Sequence, residues 1–122
     1  MSEPHEITIK ADAEQLREAR AFVGAVFESW HLDSYLGKII VSELVGNVVR
    51  HTDVDKMIVR VYLADAGPVV EVEDGSPQFP VVRPMEPESL SGRGLAMIKL
   101  LAAEVGWNAC AGGGKCVYAV LR

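Results

Sequence analysis

Apolar residues recur at every third or fourth position in two stretches of the first half of the chain, and at every second position on either side of them. That switch of period limits the chain to a sheet with helices laid against it. The first helical stripe is Leu16, Ala19, Val23, Val26, Phe27 and Trp30, behind Asp12 at an N-cap position; it predicts a helix to about residue 30. Asp33 or Ser34 caps a second helix that runs to about residue 52, with Ile40, Val41, Leu44, Val45 and Val48 as its apolar arc. Ahead of both, Ile7 and Ile9 alternate with Glu6, Thr8 and Lys10 and predict a strand over His5–Lys10. Behind them, Val59, Val61 and Leu63 mark a strand over 56–64, Ala66-Gly67-Pro68 a turn, and Val69, Val70 and Val72 a second strand, so the pair reads as a hairpin. Residues 74–91 break the pattern with Gly75, Pro77, Pro80, Pro84 and Pro87. Aperiodic loops of such length are usually functional. A helix to about residue 103 and two strands, 104–111 and 115–121, joined at Gly112-Gly113-Gly114, complete the order. The expected fold is α+β: a two-layer sandwich whose mixed, mostly antiparallel sheet is covered on one face by helices.

The 122 residues suit a single domain spanning 1–122. Hydrophobic residues at 49% and charged residues at 24% make the chain globular rather than disordered. A net charge of −5 excludes a basic surface for nonspecific nucleic-acid binding. No apolar run is long enough to span a bilayer, and the acidic N-terminus carries no secretory signal. Two cysteines, Cys110 and Cys116, are too few for a disulfide framework, so a reducing cytoplasm is the expected compartment.

Three segments hold side chains suited to chemistry. On the second helix, Glu43, Asn47 and His51 are four apart and form one polar ridge beside the apolar arc, because each step of four turns about 40°. Lys38, Ser42 and Gly46 fall on the opposite edge and suit solvent. Glu, Asn and His together offer a base, a neutral oxygen ligand for a hard cation, and an imidazole; solvated side chains, or a histidine set against the helix dipole, account for the same spacing. In the second segment, Asp74 ends a strand before Gly75-Ser76-Pro77, where a carboxylate can accept a hydrogen bond from a purine amino group or simply cap a turn. In the third, Ser91-Gly92-Arg93-Gly94-Leu95 opens a helix, where close backbone approach and free N–H groups favour a phosphate. It matches neither a Walker A loop nor a dinucleotide fingerprint.

Taken in order, these segments resemble the N-box, aspartate box, lid and glycine box of the GHKL ATPase superfamily, which includes gyrase, histidine kinases and MutL proteins. The small size and the N-box ending in His51 are similar to the anti-sigma-factor serine/threonine kinases of bacterial partner switching. The terminal Gly114-Lys115-Cys116-Val117-Tyr118 is similar to that family's G-K-[ST]-V-[WYF] strand. The resemblance implies ATP and Mg²⁺ as cofactors. It implies that Asn47 ligates Mg²⁺, that Glu43 is the general base, and that His51 lines the phosphate end. Asp74 would receive the adenine amino group with Ser76 beside it, and Gly92, Arg93, Gly94 and Leu95 would cradle the phosphates. It further implies a sigma factor and an anti-sigma-factor antagonist as partners, and leaves room for a homodimer.

Two departures stand out. Ser76 takes the place of the glycine in the D-x-G aspartate box, and Cys116 stands where a hydroxyl residue near the nucleotide is usual. Both weigh on phosphate transfer more than on nucleotide binding. The expected function is thus an ATP-binding anti-sigma factor and protein kinase. The alternative is a catalytically inactive, nucleotide-gated binding module that sequesters a regulatory partner. A thiol switch at Cys110 and Cys116 is a third reading; buried free cysteines are more often small hydrophobes.

Overall fold

A computed structural model describes residues 4–75, 101–110 and 113–121 of the chain. Strand β1 (His5–Lys10) leads through a short 3-10 turn (Ala13–Gln15) into α1 (Leu16–Ser29), followed by α2 (Tyr35–His51). Strands β2 (Lys56–Ala64), β3 (Gly67–Asp74), β4 (Glu104–Ala109) and β5 (Lys115–Val120) complete the described elements. The sheet order is β1-β2-β3-β5-β4. All four pairings are antiparallel, which meets the expectation of a mostly antiparallel sheet.

Local chemistry sets the element ends. Asp12 accepts from the backbone N–H of Glu14 and Gln15 at 3.0 and 3.2 Å and starts the 3-10 turn that feeds α1. At the other end of α1, His31 takes a left-handed φ of 59°. The N–H groups of Leu32 and His31 then reach back to the carbonyls of Phe27 and Glu28, closing the helix. Between the two cap candidates for α2, Ser34 holds the N-cap position without a side-chain bond, while the Asp33 carboxylate accepts from Tyr35 N–H at 2.9 Å. The β2–β3 hairpin is tighter than the expected Ala66-Gly67-Pro68 turn. Ala64 pairs with Gly67, so the loop is Asp65-Ala66 and β3 already includes Pro68.

Both helices lie on one face of the sheet. The buried arc of α2 is Ile40, Val41, Leu44, Val45 and Val48, as its spacing predicts, and α1 contributes Ala19, Val23, Val26 and Phe27. Against them the sheet sets Ile9, Met57, Val59, Val61, Val70, Val72, Val117 and Ala119. One sequence expectation fails here. Lys38 and Ser42 are half-buried rather than solvent-facing. The Ser42 hydroxyl accepts from Arg20 Nε at 2.6 Å, and the Lys38 stem lies over the missing side chain of Gly24. That edge of α2 is its seam with α1, and polar side chains with long apolar stems fill it. No helix among the described residues is long and apolar enough to cross a membrane.

Candidate functional site

The polar ridge of α2 forms as predicted, with a member that spacing alone did not single out. Glu43 and Asn47 are half-buried and His51 is exposed at the last residue of the helix. Arg50 folds back along the helix between the first two. Its Nη2 donates to Asn47 Oδ1 at 3.0 Å and lies 3.8 Å from Glu43 Oε2. The guanidinium rests over Gly46, where a Cβ would come within 3.0 Å of Nη1. Gly46 is therefore the floor under Arg50 rather than open surface. Arg50 is three residues after Asn47 and seven after Glu43, a helical spacing that was available in the sequence. Asn47 Nδ2 is buried and has no hydrogen-bond partner among the described residues. A buried donor of this kind costs stability unless some group completes it.

Asp74 ends β3 on the helix-covered side and is 3% exposed. Its register partner is Lys115, also buried, whose Nζ lies 3.1 Å from Asp74 Oδ1. The sequence shows both residues but not that they are opposite each other, because strand pairing is decided by register. Gly114 makes the approach possible, since a Cβ there would overlap the Asp74 carbonyl oxygen. A cleft of about 300 Å³ opens at this end of the sheet, lined by Thr8, Met57, Glu73, Asp74, Gly75 and Gly114 among others. The α2 ridge does not line it, although α2 packs on β3.

Cys116 follows Lys115 on β5, so its side chain leaves the sheet on the opposite face from Asp74. There its sulfur lies 3.3 Å from Cys110 Sγ and 3.5 Å from Glu71 Oε2. Burial, the hydrogen bond from Cys110 and the negative charge of Glu71 together push the Cys116 thiol well above its ordinary range. Cys116 therefore faces away from the helices, on the same side of the sheet as its register partner Glu73.

The family of histidine kinase-like ATPase domains matches residues 9–121. The chain belongs to that family. No curated protein matches it. Among solved structures, the RsbU and RsbW domains of Rv1364c from Mycobacterium tuberculosis align with a TM-score of 0.67 and 24% identity, covering 99% of this chain and 32% of that one. The chain thus spans about a third of that protein's length, and the likeness is one of fold.

A histidine kinase-like ATPase domain binds nucleotide. Of the expected site residues in this ATPase domain, Glu43 and Asn47 are brought together through Arg50. His51 continues the same helix. Asp74 sits on the strand beneath it, joined to Lys115. Ser76 and the Gly92, Arg93, Gly94 and Leu95 segment lie outside the described residues. Two oxygen donors of the ridge, Asn47 Oδ1 and Glu43 Oε2, already converge on a positive charge, and the unsatisfied Asn47 Nδ2 can meet a phosphate oxygen. The donor set fits a hard divalent cation with phosphate ligands.

Proposed function

We propose that this ATPase domain, residues 1–122 acting as one unit, is an anti-sigma factor that phosphorylates an antagonist protein on a serine or threonine hydroxyl. The observation that carries the proposal is the convergence of Glu43 and Asn47 on one cation along a helix packed over the core. The resemblance of the three boxes to the anti-sigma-factor kinases supports it, as does the likeness to a structure containing an RsbW domain.

In this reading Asn47 holds Mg²⁺ through Oδ1, and the bound ion supplies charge neutralisation across the ATP phosphates. Glu43, one turn earlier, takes the proton from the incoming hydroxyl. His51 lines the phosphate end. Asp74 accepts from the adenine amino group with Ser76 beside it, and residues Gly92 to Leu95 cradle the phosphates. Arg50 must release Asn47 Oδ1 for the metal to bind there. The sigma factor and the antagonist are the partners this assigns.

That same Arg50 favours a second reading. A guanidinium that engages both the base and the metal ligand suits a nucleotide-gated binding module that transfers nothing. Labelled ATP with the co-purified antagonist as acceptor separates the two. For a kinase, Glu43→Ala lowers transfer by about 10²–10⁴-fold while Mg²⁺–ATP binding by calorimetry stays close to wild type. Asn47→Ala loses the Mg²⁺-dependent part of binding and the activity together. A wild-type protein that binds its partner in a nucleotide-dependent way but transfers no label leaves the gated module standing.

A further inference from the structure

The face of the sheet turned away from the helices carries a side-chain cluster apart from the α2 ridge. Cys110 Sγ and Cys116 Sγ are 3.3 Å apart, and with a Glu73 carboxylate oxygen the three ligand atoms all lie within 4.8 Å of one another. All three residues are half-buried. Among the described residues the charge around them is unbalanced. Arg60 is ion-paired to Glu6, Glu71 and Glu73 at 2.8, 3.2 and 2.6 Å, so three carboxylates share a single guanidinium.

We propose that Cys110, Cys116 and Glu73 form a binding site for a thiophilic divalent cation, Zn²⁺, on the outer face of the sheet. Zinc takes thiolate sulfur at about 2.3 Å and carboxylate oxygen at about 2.0–2.2 Å in a tetrahedron, which sets two bound sulfurs roughly 3.8 Å apart. The observed sulfur separation is 3.3 Å, and Glu73 Oε1 lies 3.8 Å from Cys116 Sγ. These are the edges of such a tetrahedron to within small side-chain rotations. Three protein ligands leave a fourth position for water. Two thiolates and a carboxylate are the donor set that selects zinc over magnesium or calcium.

A disulfide fits the same pair less well. Asn108 pairs with Cys116 and Ala109 with Lys115, so Cys110 is diagonal to Cys116 rather than opposite it. Diagonal cross-strand neighbours are about 7–8 Å apart, with Cβ atoms somewhat closer. A disulfide needs Cβ atoms about 3.8 Å apart. A metal bridges the wider gap. Arg60 Nη1, now 2.6 Å from Glu73 Oε1 and 3.9 Å from Cys116 Sγ, gives up Glu73 and keeps Glu6 and Glu71. The ion then ties β3 to the β4–β5 hairpin. Glu73 and Cys116 are the sequence neighbours of Asp74 and Lys115, so the tie holds from behind the two strands that form the buried ion pair.

Cobalt is the optical probe, because thiolate-to-cobalt charge transfer absorbs in the near ultraviolet. The full chain, kept reduced with a phosphine, is expected to bind a single equivalent of Co²⁺ with that band, and Zn²⁺ is expected to bleach it. Cys110→Ser and Cys116→Ser should each lose the band while keeping the wild-type circular dichroism. Glu73→Gln leaves both thiols in place; it should keep the band and weaken Zn²⁺ binding by at least about tenfold, and it carries the test if a serine variant does not fold. No band at saturating Co²⁺ overturns the site. So does a band that survives both serine substitutions, or a Glu73→Gln protein that binds Zn²⁺ as tightly as wild type.

Discussion

The two faces of one sheet use opposite chemistry on the same strands. On β3, Val70, Val72 and Asp74 face the helices and are at most 3% exposed, while Glu71 and Glu73 between them face outward and are half-buried. On β5, Lys115, Val117 and Ala119 point in, and Cys116 and Tyr118 point out. The inner face admits a single described ion pair, Asp74 with Lys115, at its very end. The outer face is an open web. Arg60 joins β1 to β3 through Glu6, Glu71 and Glu73, Tyr62 donates to Glu71 at 3.0 Å, and Tyr118 donates to Glu104 at 2.8 Å. A charge costs little where water can reach it and a great deal where water cannot. The inner face therefore tolerates charge only where it is paired, and the outer face can accumulate a surplus.

The sharpest way to break this contrast is to remove one partner from each face. Lys115→Ala takes the Lys115 cation away from the buried Asp74 carboxylate, and should cost about 3–5 kcal/mol in urea unfolding. Replacing both residues, Asp74→Asn with Lys115→Met, should recover much of that loss, because the penalty lies in the uncompensated charge. A Lys115→Ala protein as stable as wild type would mean that the pair is solvated. On the outer face Arg60→Ala should cost only about 1 kcal/mol by the same measurement, since its carboxylates can turn to water. A loss as large as that of Lys115→Ala would erase the distinction between the faces.

The last effect is expected only at alkaline pH. Burial, followed by the hydrogen bond to Glu71, pushes the Tyr62 phenol up to about 12 from its ordinary value near 10. A raised folded-state value stabilises the protein fully below the unfolded value. That contribution is then lost as pH rises from about 10 through 12. Ultraviolet titration should show a phenolate step near pH 12 that Tyr62→Phe removes, with a shallow fall in stability over the same window in wild type alone.

Much of this protein was legible in its sequence. The buried arc of α2 and the alternating strands follow from side-chain period, because a helix or strand must turn its apolar residues to one side. The ridge of Glu43, Asn47 and His51 follows from the same rule. Asp12 as the start of the first helical segment follows from local hydrogen bonding over two or three residues. Pairings between distant segments were not legible. Asp74 meets Lys115, and Arg60 gathers Glu6, Glu71 and Glu73, because strands forty or more residues apart in some cases adopt one register out of several. Lys38 and Ser42 became a helix seam because α1 happens to lie on that edge of α2. Cys116 was placed near the nucleotide by resemblance, and only the pleat shows that it leaves the sheet on the face opposite Asp74. A one-residue step on a strand reverses the face, and only the paired sheet says which face is which.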